Sequence, residues 1–322
     1  MTSSVQVLGI SNAIVDVLSH VDEAFLARLD AEKGSMVLID QARAKQIYSM
    51  IGPATEMSGG SVANSIANVA NLGGRTAYIG TVADDQLGGI FVHDMKSLGV
   101  DIRVPPAARS APTACCYILI TPDGERTMQT YLGACTELGP ADVTERTVGS
   151  PKVVLLEGYV WDIPRGPAAL ERAMHLAERS GAVVAMSLSD AECVSRHHAE
   201  FLHALERHAG MVFANEREIM RLLGVDSFDE AVTAAARYDA IFVLTRSEKG
   251  SVIVSGEEKI VLPARRIDKL VDATGAGDAY TAGFLHAWTS GRSLKESAEL
   301  GTSCAASVIQ QVGARLEKDF RP

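Results

Sequence analysis

Short apolar runs alternate with segments of helical periodicity along most of the chain. The runs at residues 5–10, 75–82 and 153–159 have the length and composition of buried strands. From residue 153 onward, strands and helices alternate. This alternation predicts an α/β domain in three layers, with a mostly parallel central sheet between two layers of helices. The predicted helices of this region are 167–180, 196–208, 216–223, 277–288 and 294–308, and its further strands are 182–188, 211–214, 240–245, 251–255 and 259–262.

Two stretches break this alternation and predict a separate small sheet. Residues 15–21, 35–40, 113–121 and 126–132 have strand character, and Pro122-Asp123-Gly124 is a turn between the last two. We therefore predict a large nucleotide-binding and catalytic α/β domain and a small β lid over the substrate site. The large domain comprises residues 1–13, 41–100 and 133–322, and the lid comprises residues 14–40 and 101–132.

Composition narrows the possible classes of protein. The chain has 322 residues, of which 47% are hydrophobic and 22% are charged, as in ordinary globular proteins. Its net charge of -10 and the lack of any Lys/Arg run argue against a nucleic-acid partner. No apolar run is long enough to span a bilayer. The start, Met1-Thr2-Ser3-Ser4-Val5, lacks the basic and apolar regions of a secretory signal, so we expect a cytoplasmic protein without a membrane partner.

Cysteine and histidine usage predicts neither disulfides nor a metal site. The five cysteines form no CxxC pair, which favours reduced thiols. His197, His198, His203 and His208 lie on or near one predicted helix in a charged region. No Cys or carboxylate close in sequence completes a ligand set, so the sequence favours a solvated helix face.

Residues 271–284 carry the clearest chemical signal. Gly275 and Gly277 allow a tight turn and the close approach of a ligand, and a helix begins behind them. The free N–H groups and the dipole of a helix start suit a phosphate. Asp278 lies in the same turn, where it could take a proton from a hydroxyl that attacks a phosphoryl group. An ordinary N-capped helix after a glycine-rich loop remains the alternative.

Polar residues after other predicted strands extend this picture. Asn12 and Asp16 follow the first strand and could bind the hydroxyls of a sugar diol. Gly59 and Gly60 open a helix rich in small residues, and Asn64 lies one turn further along it. A turn and a solvated carboxylate, or a tightly packed helix, are the structural alternatives.

Two further strand ends suit a nucleotide. Asn215 and Glu218 are three residues apart at a helix start, where the carboxylate could hold Mg²⁺ directly or through water. A simple N-cap with a solvated acid explains the same pattern. Thr245, Ser247 and Gly250 end another buried strand with groups that suit phosphates and ribose.

Three of these motifs, in this order, resemble the PfkB (ribokinase-like) family of sugar and nucleoside kinases. They are Gly59-Gly60 with Asn64, Asn215 with Glu218, and residues 272–278, where Ala273 replaces the threonine or serine common in the family. The resemblance covers nearly the whole chain and implies a ribokinase-like fold, ATP and Mg²⁺. The implied roles are a catalytic base (Asp278), a backbone anion hole (Gly275, Ala276, Gly277), Mg²⁺ and phosphate placement (Asn215, Glu218), sugar binding (Asp16, Gly60, Asn64), nucleotide contact (Cys304) and a monovalent-cation site for K⁺ (Asp272, Thr274, Gly313).

Residues 127–133 and 157–162 are most similar to the adenosine-kinase-like branch of this family. The resemblance implies purine-pocket walls from Met36, Leu38, Tyr159 and Trp161, with Arg126 as a lid arginine that reaches the phosphates. The predicted reaction is transfer of the γ-phosphoryl of ATP to the 5′-hydroxyl of a purine nucleoside, adenosine above all, giving AMP and ADP in purine salvage. A ribokinase, fructokinase or ketodeoxygluconate-type sugar kinase is the first alternative, and a non-catalytic nucleoside sensor is the second. Monomer and homodimer both remain open.

We further expect the helix start to stabilise ionised Asp278 and to keep its basicity low. Asp278 would then accept the proton late, as the phosphoryl group transfers.

Overall fold

A computed structural model describes residues 5–317, 320 and 321. The prediction about a secretory signal was based on residues 1–5, and residues 1–4 lie outside the described part of the chain. The strands are β1 (Val7–Ile10), β2 (Ile14–His20), β3 (Met36–Leu38), β4 (Ala54–Gly59), β5 (Thr76–Ile79), β6 (Asp101–Ile102), β7 (Ala114–Ile120), β8 (Arg126–Tyr131), β9 (Val153–Glu157), β10 (Val183–Ser187), β11 (Ala209–Asn215), β12 (Ile241–Thr245), β13 (Ser251–Ser255) and β14 (Glu258–Leu262). The α-helices are α1 (Glu23–Arg28), α2 (Gln41–Met50), α3 (Ser61–Asn71), α4 (Gln86–Ser97), α5 (Glu145–Val148), α6 (Gly166–Ser180), α7 (Ala191–Arg196), α8 (His198–Arg207), α9 (Glu216–Leu223), α10 (Phe228–Ala235), α11 (Ala276–Thr289) and α12 (Leu294–Val308).

The large sheet has nine strands in the order β14-β13-β12-β11-β10-β9-β1-β5-β6. Its strands pair in parallel except for the antiparallel pairs β12–β13 and β13–β14. This confirms the predicted mostly parallel sheet. The carboxyl ends of β1, β9, β10, β11 and β12 share one edge, where ligands bind in such sheets.

Helices cover both faces of this sheet, because its central strands are apolar on both sides. In β1, Leu8 and Ile10 pack in one hydrophobic cluster with Leu170 of α6, whereas Val7 packs in the other with Phe284 of α11. Successive side chains of a strand point to opposite faces, so four apolar residues in a row bury both. Among the described helices, none is both long enough and apolar enough to cross a bilayer.

The small sheet has five strands in the order β3-β8-β7-β2-β4. The four strands predicted for the lid are all present, and β4 is an additional one. Its sequence, ATEMSG, has three polar residues and its first two residues are exposed, so it lacks the apolar pattern of a buried strand. The short strand β6 pairs with β5 in the large sheet instead. The predicted domain ranges therefore depart from the observed sheets at residues 54–59 and 101–102.

Candidate active site

The loop before α11 ends in a helix start that no side chain caps. Gly275 is the N-cap, with a φ of 76° that favours glycine. A Cβ at this position would lie 2.3 Å from Ala314 Cβ, whereas one at Gly277 would meet nothing within 4 Å. Ala276 N–H donates a hydrogen bond to Ala273 O at 3.3 Å. The next N–H groups belong to the first turn, so they lack intrahelical acceptors and remain suited to an anion.

The carboxylate of Asp278 lies between α11 and the start of α3. Ser61 Oγ donates to Asp278 Oδ1 at 2.7 Å, and Asn64 Nδ2 donates to Oδ2 at 3.5 Å. Ser65 Oγ donates to the backbone oxygen of Asp278 at 3.1 Å. The two glycine-rich loops that the sequence places more than 200 residues apart therefore meet at this carboxylate.

Burial raises the pKa of Asp278 to about 6, and the hydrogen bonds from Ser61 and Asn64 only partly oppose this shift. The expectation that the helix start keeps the basicity of Asp278 low is therefore wrong. Loss of hydration dominates the shift, because desolvation penalises the charged form of a carboxylate. A pKa near 6 suits a general base that works close to neutral pH.

A cavity at the lid, which we call the Asp16 cavity, lies beside this carboxylate. It is lined by Asp16, Leu18, Met57, Ser58, Asn64, Ile118, Arg126, Thr274, Gly313, Ala314 and Arg315. Burial raises the pKa of Asp16 to about 7, while Arg315 and Arg126 act in the opposite direction. Gly59 lies directly against the Asp16 side chain, since a Cβ at residue 59 would lie 2.2 Å from Asp16 Oδ2.

Asn12 and Gly60 adjoin this region at the end of β1. A Cβ at Gly60 would lie 2.6 Å from Asn12 O, and Gly60 has a φ of 97°, so two independent constraints favour glycine. Asn12 Oδ1 is buried and has no hydrogen-bond partner among the described residues. An orphaned buried acceptor is costly, and a ligand hydroxyl would satisfy it.

Glu157 links the end of β1 to the start of α3. Its carboxylate accepts hydrogen bonds from Val62 N–H at 3.1 Å and Asn12 N–H at 3.4 Å. Burial raises the pKa of Glu157 to about 7. The sequence indicated no role for this residue.

A pH-dependent stability follows from Glu157. The folded chain keeps a proton on this group between its unfolded pKa and about 7, so the free energy of unfolding should fall as pH rises from about 5 to about 8. Glu157→Gln removes this titration and should make the decline shallower, measured by urea unfolding across that range, while Asp16, Glu218 and Asp278 still titrate there. Glu145→Gln on the exposed surface is the control and should keep the wild-type slope. An unchanged slope in Glu157→Gln would contradict the assignment.

Arg315 is the main site residue that sequence reasoning missed. Its guanidinium donates to Asp94 Oδ2 at 2.9 Å, to Asn64 Oδ1 at 3.4 Å and to Ser58 O. It thus joins the lid strand β4, helix α4 and the segment after α12. Nothing near residue 315 forms a motif, because its partners come from positions more than 220 residues away. Ser61, by contrast, directly follows the Gly59-Gly60 pair and could have been predicted.

Arg126 reaches from the lid to the loop before α11. Its Nη2 lies 2.6 Å from Asp272 Oδ2, which also accepts from Gly313 N–H at 3.0 Å. Asp272 Oδ1 accepts from Thr274 N–H at 3.0 Å. Asp272, Thr274 and Gly313, the three residues predicted to bind K⁺, therefore lie together. The Arg126 guanidinium supplies a positive charge beside Asp272. The K⁺ site itself stays a prediction.

A comparison with family models identifies the group to which this architecture belongs. The model of the pfkB family carbohydrate kinases matches residues 34–320. The chain belongs to the pfkB family. It is therefore a phosphotransferase with an alcohol group as acceptor, and it is a nucleoside or sugar kinase.

Similar proteins support both kinds of acceptor within the pfkB family. An adenosine kinase crystal structure from Sinorhizobium meliloti is 47% identical, with a TM-score of 0.89 over 98% of this chain and 96% of that one. A probable sugar kinase from Rhizobium etli is 45% identical, with a TM-score of 0.89 over 98% and 96% of the two chains. An ATP-dependent ribose-1-phosphate kinase from Halopiger xanaduensis is 30% identical over 81% of this chain and 83% of its own length. The predicted adenosine-kinase-like resemblance is confirmed.

The pfkB motif of Asn215 and Glu218 forms a reciprocal cap at the start of α9. Asn215 Oδ1 accepts from Glu218 N–H at 2.9 Å, and Glu218 Oε2 accepts from Asn215 N–H at 2.9 Å. Burial raises the pKa of Glu218 to about 7. The N-cap that the sequence offered as the alternative to a Mg²⁺ site is therefore present at the start of α9. A buried carboxylate that has no cationic partner at bonding distance among the described residues would also gain from a nearby cation.

Other predicted nucleotide residues lie along the same sheet edge. Thr245 ends β12 and is in register with Asn215. Ser247 has a φ of 50° and Gly250 a φ of 87° in the tight turn that follows. Tyr159 is half-buried against the core beneath the edge. Their ligand contacts remain predictions.

Two predicted contacts need correction, and two others stay predictions. Met36 and Leu38 are 51% and 64% exposed on the edge strand β3, which pairs with β8, and they do not line the Asp16 cavity. Their contact with a purine stays a prediction. The apolar walls of that cavity are Leu18, Met57 and Ile118. Cys304 is completely buried between α11 and α12, so it is a core residue and not a nucleotide contact. Trp161, also predicted as a pocket wall, packs against Phe201 in the core, with ring centroids 4.4 Å apart and ring planes tilted by 40°.

Proposed function

We propose that this enzyme transfers the γ-phosphoryl group of ATP to the 5′-hydroxyl of a purine nucleoside, adenosine above all, giving AMP and ADP. One observation carries the proposal: the half-buried carboxylate of Asp278 lies at a helix start without a side-chain cap and accepts a hydrogen bond from Asn64 at the start of α3. This places a base for a hydroxyl next to donors for a phosphoryl group, as phosphoryl transfer requires. We assign the reaction to purine salvage in the cytoplasm.

The roles follow from the position of each group. Asp278 accepts the proton of the attacking hydroxyl, and the Gly275–Gly277 backbone holds the transferred phosphoryl group. Asp16, Asn64 and the orphaned Asn12 Oδ1 bind the ribose hydroxyls. Retention of the base beside its hydrogen-bond donors argues against a sensor without catalysis.

ATP and Mg²⁺ belong at the carboxyl edge of the large sheet. Thr245, Ser247 and Gly250 would contact the nucleotide, and Glu218 would hold Mg²⁺ through water, since Asn215 already occupies its oxygens. The ion neutralises phosphate charge when bound. The Arg126 guanidinium adds positive charge on the lid side of the same loop.

One observation favours a nucleoside over a free sugar. The side chains on the lid side of the Asp16 cavity are Leu18, Met57 and Ile118, which suit an apolar base better than hydroxyls, although the cavity itself has a volume of only about 10 Å³. The solved relatives do not separate the acceptors, since an adenosine kinase and a probable sugar kinase are 47% and 45% identical to this chain. The sugar-kinase candidate keeps one observation of its own: the Arg315 guanidinium beside Asn64 would also suit an anionic sugar substituent.

A thermal-shift panel decides between these acceptors. Adenosine, inosine, ribose, ribose 1-phosphate, fructose and ketodeoxygluconate would be tested, because a ligand at a hundred times its Kd stabilises by about 2.7 kcal/mol. We expect the largest rise in Tm with adenosine, and ADP formation with the same compound. The Asp16→Ala variant, which removes a ribose ligand, should lose the adenosine shift. A shift with ribose or fructose and none with adenosine would refute the nucleoside assignment.

A further inference from the structure

Two imidazoles and two carboxylates converge where α6 meets the end of α8. Glu171 and His175 are four residues apart on α6 and therefore share one face of that helix. His208 is the C-cap of α8, and its side chain is only 7% exposed. Its ring meets that of His175 edge-on, with centroids 5.2 Å apart. Glu178, on the last turn of α6, lies against both rings.

The separations in this cluster are close to those of a metal site. His175 Nε2 lies 3.0 Å from Glu171 Oε1, and His208 Nδ1 lies 2.5 Å from Glu178 Oε1. Single ligand atoms of Glu171, His175 and His208 all fall within 4.8 Å of one another. Tetrahedral zinc with bonds of about 2.0 to 2.2 Å needs ligand atoms roughly 3.4 Å apart. Small side-chain rotations would therefore close the site without any movement of the helices.

The donor set selects the class of ion. Imidazole with carboxylate suits Zn²⁺, Co²⁺ or Ni²⁺, whereas Mg²⁺ prefers oxygen ligands and its own water. We propose that Glu171, His175 and His208 bind a zinc-class divalent cation, with Glu178 as the fourth ligand or as the partner that orients the imidazoles.

A surface groove gives this site access to solvent. It has a volume of about 480 Å³, and Glu171 belongs both to its lining and to the ligand set. His203 and Glu200 of α8 line the same groove, and the His203 ring lies 5.8 Å from that of His208. An ion can thus enter the site without unfolding, and the groove leaves room for a coordinated water.

Of the four histidines that the sequence placed on a solvated helix face, His208 departs from that prediction, because its side chain is only 7% exposed. His208 finds its carboxylate partner 30 residues earlier in the chain, on another helix. A search for ligands close in sequence could not reveal that pair. None of the cluster residues belongs to the catalytic site described above.

Cobalt titration of the full-length protein, freed of affinity tag and treated with chelator, tests the proposal. We expect one Co²⁺ per chain, with the visible absorption of four-coordinate cobalt, and displacement by Zn²⁺ but not by excess Mg²⁺. His175→Gln and His208→Gln should each weaken binding by more than about tenfold. His175 is 57% exposed, so its replacement should leave folding intact even if that of His208 does not.

His203→Gln is the matched control, because it removes a histidine of α8 that lies outside the ligand set. It should bind Co²⁺ like the wild type. Equal weakening by this control, or wild-type binding in His175→Gln, would overturn the proposed ligands, as would failure of the wild type to bind a stoichiometric ion. Magnesium-dependent phosphoryl transfer should be unchanged in His175→Gln, so this test is independent of the proposed kinase reaction.

Discussion

Asp278→Asn is expected to lower kcat by about a thousandfold while leaving acceptor binding in place. The amide keeps the size of the carboxylate and can still pair with Ser61 and Asn64, so the pocket keeps its shape. It cannot take a proton from the attacking hydroxyl. Steady-state turnover measures the loss, and a preserved thermal shift with the acceptor shows that the variant is folded. Unchanged turnover would remove Asp278 from the role of base.

The pH profile provides a second view of the same group. With a pKa of about 6, Asp278 is protonated and inactive in acid, so kcat/KM should rise with pH through that value. Ser61→Ala removes the hydrogen bond that lowers this pKa, and the acid limb should therefore move to higher pH. An acid limb that stays in place in Ser61→Ala would contradict control of the base by Ser61.

Gly275→Ala and Gly277→Ala form a matched pair with opposite expected effects on folding. At Gly275 the φ of 76° costs a non-glycine residue about 1 to 2 kcal/mol, and the new Cβ would also overlap Ala314. This variant should be destabilised and should lose activity with the shape of the loop. At Gly277 the new Cβ enters open space on the first turn of α11, so stability should be kept or slightly raised.

Gly277→Ala should nonetheless lower kcat by about a hundredfold, because the methyl group occupies the space in which the phosphoryl group must approach the N–H donors. Urea unfolding and turnover, measured on both variants, separate the two effects. Full activity in a stable Gly277→Ala protein would show that the phosphoryl group does not approach the start of α11. A fully stable Gly275→Ala protein would contradict the strain assigned to that loop.

The elements that could be predicted share a physical basis. Strands such as β1 and β9 are buried on both faces, so the apolar requirement falls on every residue and is visible in the sequence. The edge strand β4 buries little at its start, so its sequence has no apolar run that would predict a strand. Apolar side chains on an edge strand, such as Met36 and Leu38, do not by themselves indicate a pocket, so their contact with a purine stays a prediction.

By itself, the sequence determined the α/β architecture, the family and the identity of the reactive loop. Glycines that must adopt positive φ and an aspartate at a helix start leave a local signature. Only the tertiary structure decided how these parts act on one another. Burial, which depends on the whole fold, raises the pKa of Asp278, and the hydrogen bonds from Ser61 and Asn64 lower it. The pairing of Arg126 with Asp272, the clamp by Arg315 and the meeting of His208 with α6 join residues far apart in the chain, and such contacts exist only once the chain has folded.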